Sequence, residues 1–263
     1  MDFPYREVFS QAEATLLSYG SRHRPLEEIR SALARFKTVP QRFTDDEFFW
    51  KLTMIVFYSG FRAATVTERL PVIKRHFPDW RVVAGYGDED VRRILDDPGM
   101  IRNKRKIFAV VENALAFKAL IGEYGSFQTF IDGFRPNESF EQLLLLKRGL
   151  ETRLSYLGGV TAYHFLTEIG LPVLKPDRVL CRIFHRLGLI SDETDIQETI
   201  RQGRRFAEET RQPIRYIDIV FVAYGQVQSQ EFGIDKGICL KNPRCQECGL
   251  TTYCHYPHKN STQ

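Results

Sequence analysis

An all-α fold is what this sequence predicts, on three observations. Apolar residues recur with a period of about 3.6 along nearly the whole chain, period-two alternation is almost absent, and the periodic segments are joined by short connections. The 263 residues, 43% of them hydrophobic, suffice for one large domain or two modest ones with a sizeable core. The periodicity places helices over 3–20, 25–36, 44–59, 62–76, 88–96, 102–122, 126–133, 138–155, 160–169, 178–188, 193–208 and 213–227.

The helix over 44–59 opens on an acidic turn, Asp45, Asp46 and Glu47, which suits the positive end of the helix dipole, and it breaks at Ser59-Gly60. Along it Trp50, Met54, Phe57, Tyr58 and Phe61 form one stripe. Core packing explains such a stripe, and so does a pocket whose far end, Tyr58 and Phe61, stacks on a flat ligand. The helix over 102–122 opens on Arg102, Lys104, Arg105 and Lys106, against the dipole rule. Either these are a solvated charge run or they share a phosphate with the exposed N–H groups of the helix.

Helices 138–155 and 160–169 flank a tight turn at Gly158-Gly159, where glycine permits positive φ and close approach of another backbone. The following LPVLKP cannot be helical at its prolines. Asp177 then precedes an apolar-periodic run, the position of an N-cap. In that run Cys181 reads as a small buried hydrophobe, and Arg178, Arg182 and Arg186 form a basic stripe that faces either DNA or solvent. No fixed-period repeat or interdomain linker interrupts the chain, and HKNSTQ reads as a frayed tail.

Composition narrows the function class. A formal charge of +4 is a mild basic bias compatible with a polyanionic partner. The longest apolar stretches, such as IDIVFVAY, are too short to span a bilayer, so no membrane span is expected. MDFPYREVFSQAEA lacks the basic and apolar regions of a secretory signal, which points to a reducing, cytoplasmic compartment. Four of the five cysteines, Cys239, Cys245, Cys248 and Cys254, lie in CLKNPRCQECGLTTYC with spacing C-x5-C-x2-C-x5-C. Disulfides, zinc and an iron–sulfur cluster compete for them. One close pair with two outlying thiols suits a wrapped 4Fe-4S loop better than the paired knuckles of a zinc site.

The hairpin, the Pro-Asp helix start and the C-terminal cysteine loop, in that order, resemble the helix–hairpin–helix DNA glycosylases over residues 44–254. GICLKNPRCQECGLTTYC looks like the iron–sulfur loop of endonuclease III and the adenine glycosylases, with the first spacing one residue shorter. Residues 47–134 are similar to the 3-methyladenine glycosylase I group through SGFRAATV, IRNKRKI, ENALAF and YGSFQTFI. That group's pocket glutamate falls near Ile55 here, and its zinc-binding set is missing.

The resemblance implies two helical domains with a cleft between them. Residues 42–157 would form a six-helix barrel, and 1–41 with 158–263 a second domain carrying a 4Fe-4S cluster on the four cysteines. It implies a monomer acting on double-stranded DNA, with Gly158, Gly159, Arg102, Lys104 and Arg105 on the DNA and Asp177 as the catalytic carboxylate beside a flipped nucleotide. RLSYLGGVTAYHF holds no lysine, which implies a monofunctional enzyme that uses water and leaves an abasic site. Alkylated purines are the favoured lesion, since a cationic base is attracted by the faces of Trp50, Phe57, Tyr58 and Phe61. An endonuclease III-like specificity for oxidised pyrimidines and a non-catalytic iron–sulfur DNA-binding protein are the alternatives.

Overall fold

The computed structural model describes residues 2–38 and 42–256. The expected C-terminal tail lies outside them. The helices are α1 (Tyr5–Gly20), α2 (Leu26–Ala34), α3 (Asp45–Tyr58), α4 (Ala63–His76), α5 (Trp80–Val83), α6 (Asp88–Asp96), α7 (Lys104–Tyr124), α8 (Phe127–Asp132), α9 (Phe140–Glu151), α10 (Val160–Glu168), α11 (Arg178–Arg186), α12 (Ile196–Thr210) and α13 (Ile214–Gly225). Among the described residues there is no strand, so the fold is all-α as expected. No helix there is long and apolar enough to cross a membrane.

Side-chain caps set most of the helix starts. Thr44 and Glu47 form a reciprocal capping box at α3, and Ser126, Ser139 and Asp195 cap α8, α9 and α12 through their side-chain oxygens. The four-residue α5 was not expected, because it is shorter than any window that shows periodicity. Asp79 nucleates it by accepting from the Arg81 and Val82 amides.

The chain divides into two compact units, Pro40–Leu171 and Met1–Val39 with Pro172–Gln263. In the first, α7 packs on α3, α5, α6 and α8. Its core is aromatic: Phe117 stacks on Phe127 with centroids 4.2 Å apart, and Phe49 meets Phe117 edge-on. The unit ends later than residue 157, because α10 packs on α3 and α9 and keeps the hairpin with these helices. In the second unit α1, α11, α12 and α13 pack around Phe184, Phe206 and Phe221, whose centroids lie 5.0–5.4 Å apart.

Candidate active site

Asp177 is the N-cap of α11. Its Oδ1 accepts from the amides of Val179 at 2.9 Å and Leu180 at 3.2 Å, and its Oδ2 lies 3.7 Å from Lys175 Nζ. One carboxylate oxygen is thus spent on the helix cap, and the other, on a side chain 23% exposed, is clear of the backbone. Beneath the turn, buried Asp218 of α13 accepts from the Lys175 amide at 3.0 Å and pairs with Arg215. Burial pushes the Asp218 carboxyl up to about 6; Arg215 opposes the shift and the charge of Asp177 adds to it. Its tie to the Lys175 turn spans 43 residues, which no local pattern in the sequence marks.

In the hairpin, Gly159 has φ 54° and ψ −120°, a backbone conformation that side chains other than glycine's rarely tolerate, while Tyr156 occupies the left-handed region at φ 65°. Both glycine amides are engaged inside the protein: Gly158 N–H donates to Thr161 Oγ1 at 2.9 Å and Gly159 N–H to Glu151 Oε1 at 3.0 Å. A phosphate approaching these amides has to displace Thr161 and Glu151. Lys147 lies 2.6 Å from Glu151 and over the buried ring of Tyr163.

Asn113 ties the hairpin to α7. Its amide donates to Ser155 O at 3.0 Å and its Oδ1 accepts from Ser155 N at 2.7 Å. The start of α7 and the hairpin thereby share a groove of about 580 Å³ lined by Lys104, Arg105, Phe108, Ser155 and Tyr156. A second groove of about 560 Å³ runs from Ser59 along residues 151–158 to Thr161. Arg102, Lys104 and Arg105 are exposed, with Arg102 ahead of the helix and Asn103 as its cap.

Lys106 departs from its neighbours. It is 3% exposed, and its ammonium donates to Val56 O and, at 2.6 Å, to Ser59 O, carbonyls left open by the end of α3. A cation misplaced for its own helix dipole is correctly placed for that of α3. Burial pulls the Lys106 amine down to about 8, and the rings of Tyr156 and Phe61 lie 4.9 and 5.4 Å from it. Lys106→Met is expected to destabilise the protein by about 2–4 kcal/mol, because two buried carbonyls lose their donor. The pH dependence has a definite sign. The folded amine releases its proton at lower pH than the unfolded one, so the wild type gains stability relative to the Met variant as pH rises from about 8 towards 10.5. Denaturant titrations at pH 7 and 10 check both statements.

The aromatic stripe splits. Phe57 is a core residue against Phe77, with no exposure, and does not belong to a pocket. Phe48, Phe49, Leu52, Thr53, Ile55, Val56 and Phe57 of α3 are buried, whereas Met54 of the stripe is half-buried. Trp50 lies under Lys74, and Tyr58 is hydrogen-bonded to Thr67 of α4 at 2.9 Å. Phe61, 40% exposed, stands beside Lys106.

The basic stripe on α11 also resolves differently from a DNA-facing surface. Arg182 donates to Cys239 O at 3.0 Å and Gly225 O at 2.7 Å; Arg186 donates to Cys239 Sγ at 3.2 Å and to the carbonyls of Leu240 and Lys241. Both arginines hold the cysteine loop. Tyr224 donates to Cys248 Sγ at 3.0 Å. Cys239, Cys245, Cys248 and Cys254 are free thiols, as is buried Cys181. Burial pushes the Cys254 thiol up, and the other three loop cysteines push it the same way. Among the described residues no three His, Cys, Asp or Glu side chains form a group able to hold a metal ion.

A sequence model of the family described as methyladenine glycosylase matches residues 38–152. Among solved structures, a 3-methyladenine DNA glycosylase I is 24% identical, covering 50% of this chain and 81% of its own with a TM-score of 0.45. The Staphylococcus aureus 3-methyladenine DNA glycosylase I is 20% identical, with coverage of 52% and 84% and a TM-score of 0.45. The 8-oxoguanine DNA glycosylase of Thermotoga maritima is 18% identical but covers 82% of this chain and 96% of its own, with a TM-score of 0.53. The first match stops short of the hairpin glycines and Asp177, and the last spans a larger share of the chain in fold alone. Over residues 38–152, less than half of its length, the chain is thus similar in sequence to the methyladenine glycosylase family, and its fold is similar to that of the 8-oxoguanine DNA glycosylase of Thermotoga maritima.

Proposed function

We propose that this protein is a monofunctional DNA glycosylase that acts as a monomer on double-stranded DNA, extrudes an alkylated purine and hydrolyses its N-glycosidic bond. The observation that carries this reading is the division of labour in Asp177, whose Oδ1 is held by two amides while Oδ2 is clear of the backbone. As the C1′–N bond breaks, positive charge builds on the sugar, and a fixed carboxylate stabilises it. The base leaves with the bonding electrons, water supplies the hydroxyl on C1′, and one proton passes to solvent. An N3- or N7-alkylated purine is already cationic, so it departs without a protein acid. The match of residues 38–152 to the methyladenine glycosylase family supports this substrate class.

The four loop cysteines would hold a 4Fe-4S cluster. The chemistry of the donor set suits it: there are four free loop thiols, and Arg186 and Tyr224 donate to two of the sulfurs, which favours anionic thiolates.

The hairpin offers no amine for a Schiff base, and Lys147, beside it in space, is paired with Glu151. Incubation with lesion-bearing duplex should therefore leave intact strands that break only on heating in alkali. Borohydride should trap no enzyme on DNA; efficient trapping would overturn the monofunctional reading.

A further inference from the structure

The turn that presents Asp177 has no regular secondary structure, yet it is held at successive points by its own unit. Arg204 donates to Pro172 O at 3.2 Å. Leu174 fills a notch that exists because residue 203 is glycine: a Cβ there would lie 1.9 Å from Leu174 Cδ2. The Lys175 amide donates to Asp218 Oδ1 at 3.0 Å, and Lys175 O accepts from the Asp177 amide at 2.8 Å. Asp218 is 1% exposed, and a carboxylate is a costly group to bury where a leucine of similar size would pack α13. Its contact with the turn is with the residue whose carbonyl receives Asp177. A chain of hydrogen bonds therefore runs from α13 through Lys175 to the N-cap.

We propose that Asp218 is a positioning residue for the active site: by holding the Lys175 amide it fixes the turn and so aims the outer oxygen of Asp177. The inference rests on the reading of Asp177 as the carboxylate that acts on the sugar. A displacement of about 1 Å at such a group costs about a hundredfold in rate. Asparagine at 218 keeps an oxygen for the Lys175 amide, whereas leucine keeps the volume and loses the acceptor.

The test compares wild type, Asp218→Asn and Asp218→Leu, each held at a temperature where its melting curve shows it folded. With duplex DNA carrying one 3-methyladenine analogue, Asp218→Leu should excise about a hundredfold more slowly at unchanged DNA affinity, and Asp218→Asn should remain within about fivefold of wild type. Wild-type excision by Asp218→Leu, equal losses in both variants, or a loss that follows DNA affinity would overturn the proposal. Hydrogen exchange of the Lys175 amide is a readout free of activity. It should be protected in wild type and Asp218→Asn and exchange about a hundredfold faster in Asp218→Leu. If wild type releases no base, the reading of Asp177 fails, and the exchange result alone decides whether Asp218 holds the turn; equal protection in all three proteins would show that it does not.

Discussion

Replacing Asp177 with asparagine is expected to slow base excision by about 10²–10³-fold while leaving the protein folded. Asparagine is as good an N-cap as aspartate, so the amides of Val179 and Leu180 keep their acceptor and α11 keeps its start. What disappears is the negative charge on the second oxygen, the one near Lys175. DNA affinity should hold or rise, because a carboxylate near phosphates repels them. Single-turnover excision and a binding titration on the same duplex separate the two effects. An Asp177→Asn variant that excises at the wild-type rate would return Asp177 to the role of helix cap.

Cys245→Ser is expected to bleach the protein and lower its thermal midpoint sharply, because the loop from Cys239 to Cys254 holds little regular secondary structure. Its local structure amounts to two three-residue turns, Cys245–Glu247 and Thr251–Tyr253, and its firmest anchors are Arg182, Arg186 and Tyr224 from neighbouring helices. Metal binding to such a loop is folding free energy. Wild type prepared anaerobically with iron supplied should be brown and hold about four iron atoms per chain. Colourless protein with stoichiometric zinc under those conditions would contradict the cluster.

Local chemistry was legible in the sequence, and long-range pairing was not. The cap at Asp177 could be placed because an N-cap bonds its own next two or three residues. The acidic first turn of α3 and the break at Ser59-Gly60 were visible for the same reason. The pairings of Lys106, Asn113 and Asp218 were invisible, since the partners lie 50, 42 and 43 residues away. An i, i+4 pattern names a face but not what covers it. Arg182 and Arg186 do lie on one face of α11, and the cysteine loop, more than fifty residues on, decides that they are structural. The stripe on α3 failed in a related way: it joined Phe57, which points into the core, with Trp50 and Tyr58, which face α4. The hairpin glycines were found, but the occupation of their amides by Thr161 and Glu151 depends on side-chain geometry that spacing does not encode.

The central claim, hydrolytic removal of an alkylated purine, is tested most directly by mass spectrometry of the free bases released from duplex DNA. One substrate is methylated duplex and a second carries oxidised pyrimidines, each incubated with wild type and with Asp177→Asn. The account predicts free 3-methyladenine or 7-methylguanine from wild type, at least about a hundredfold less from Asp177→Asn, and no oxidised pyrimidine from either. Release of thymine glycol or dihydrouracil with methylated purines left in the DNA would contradict it.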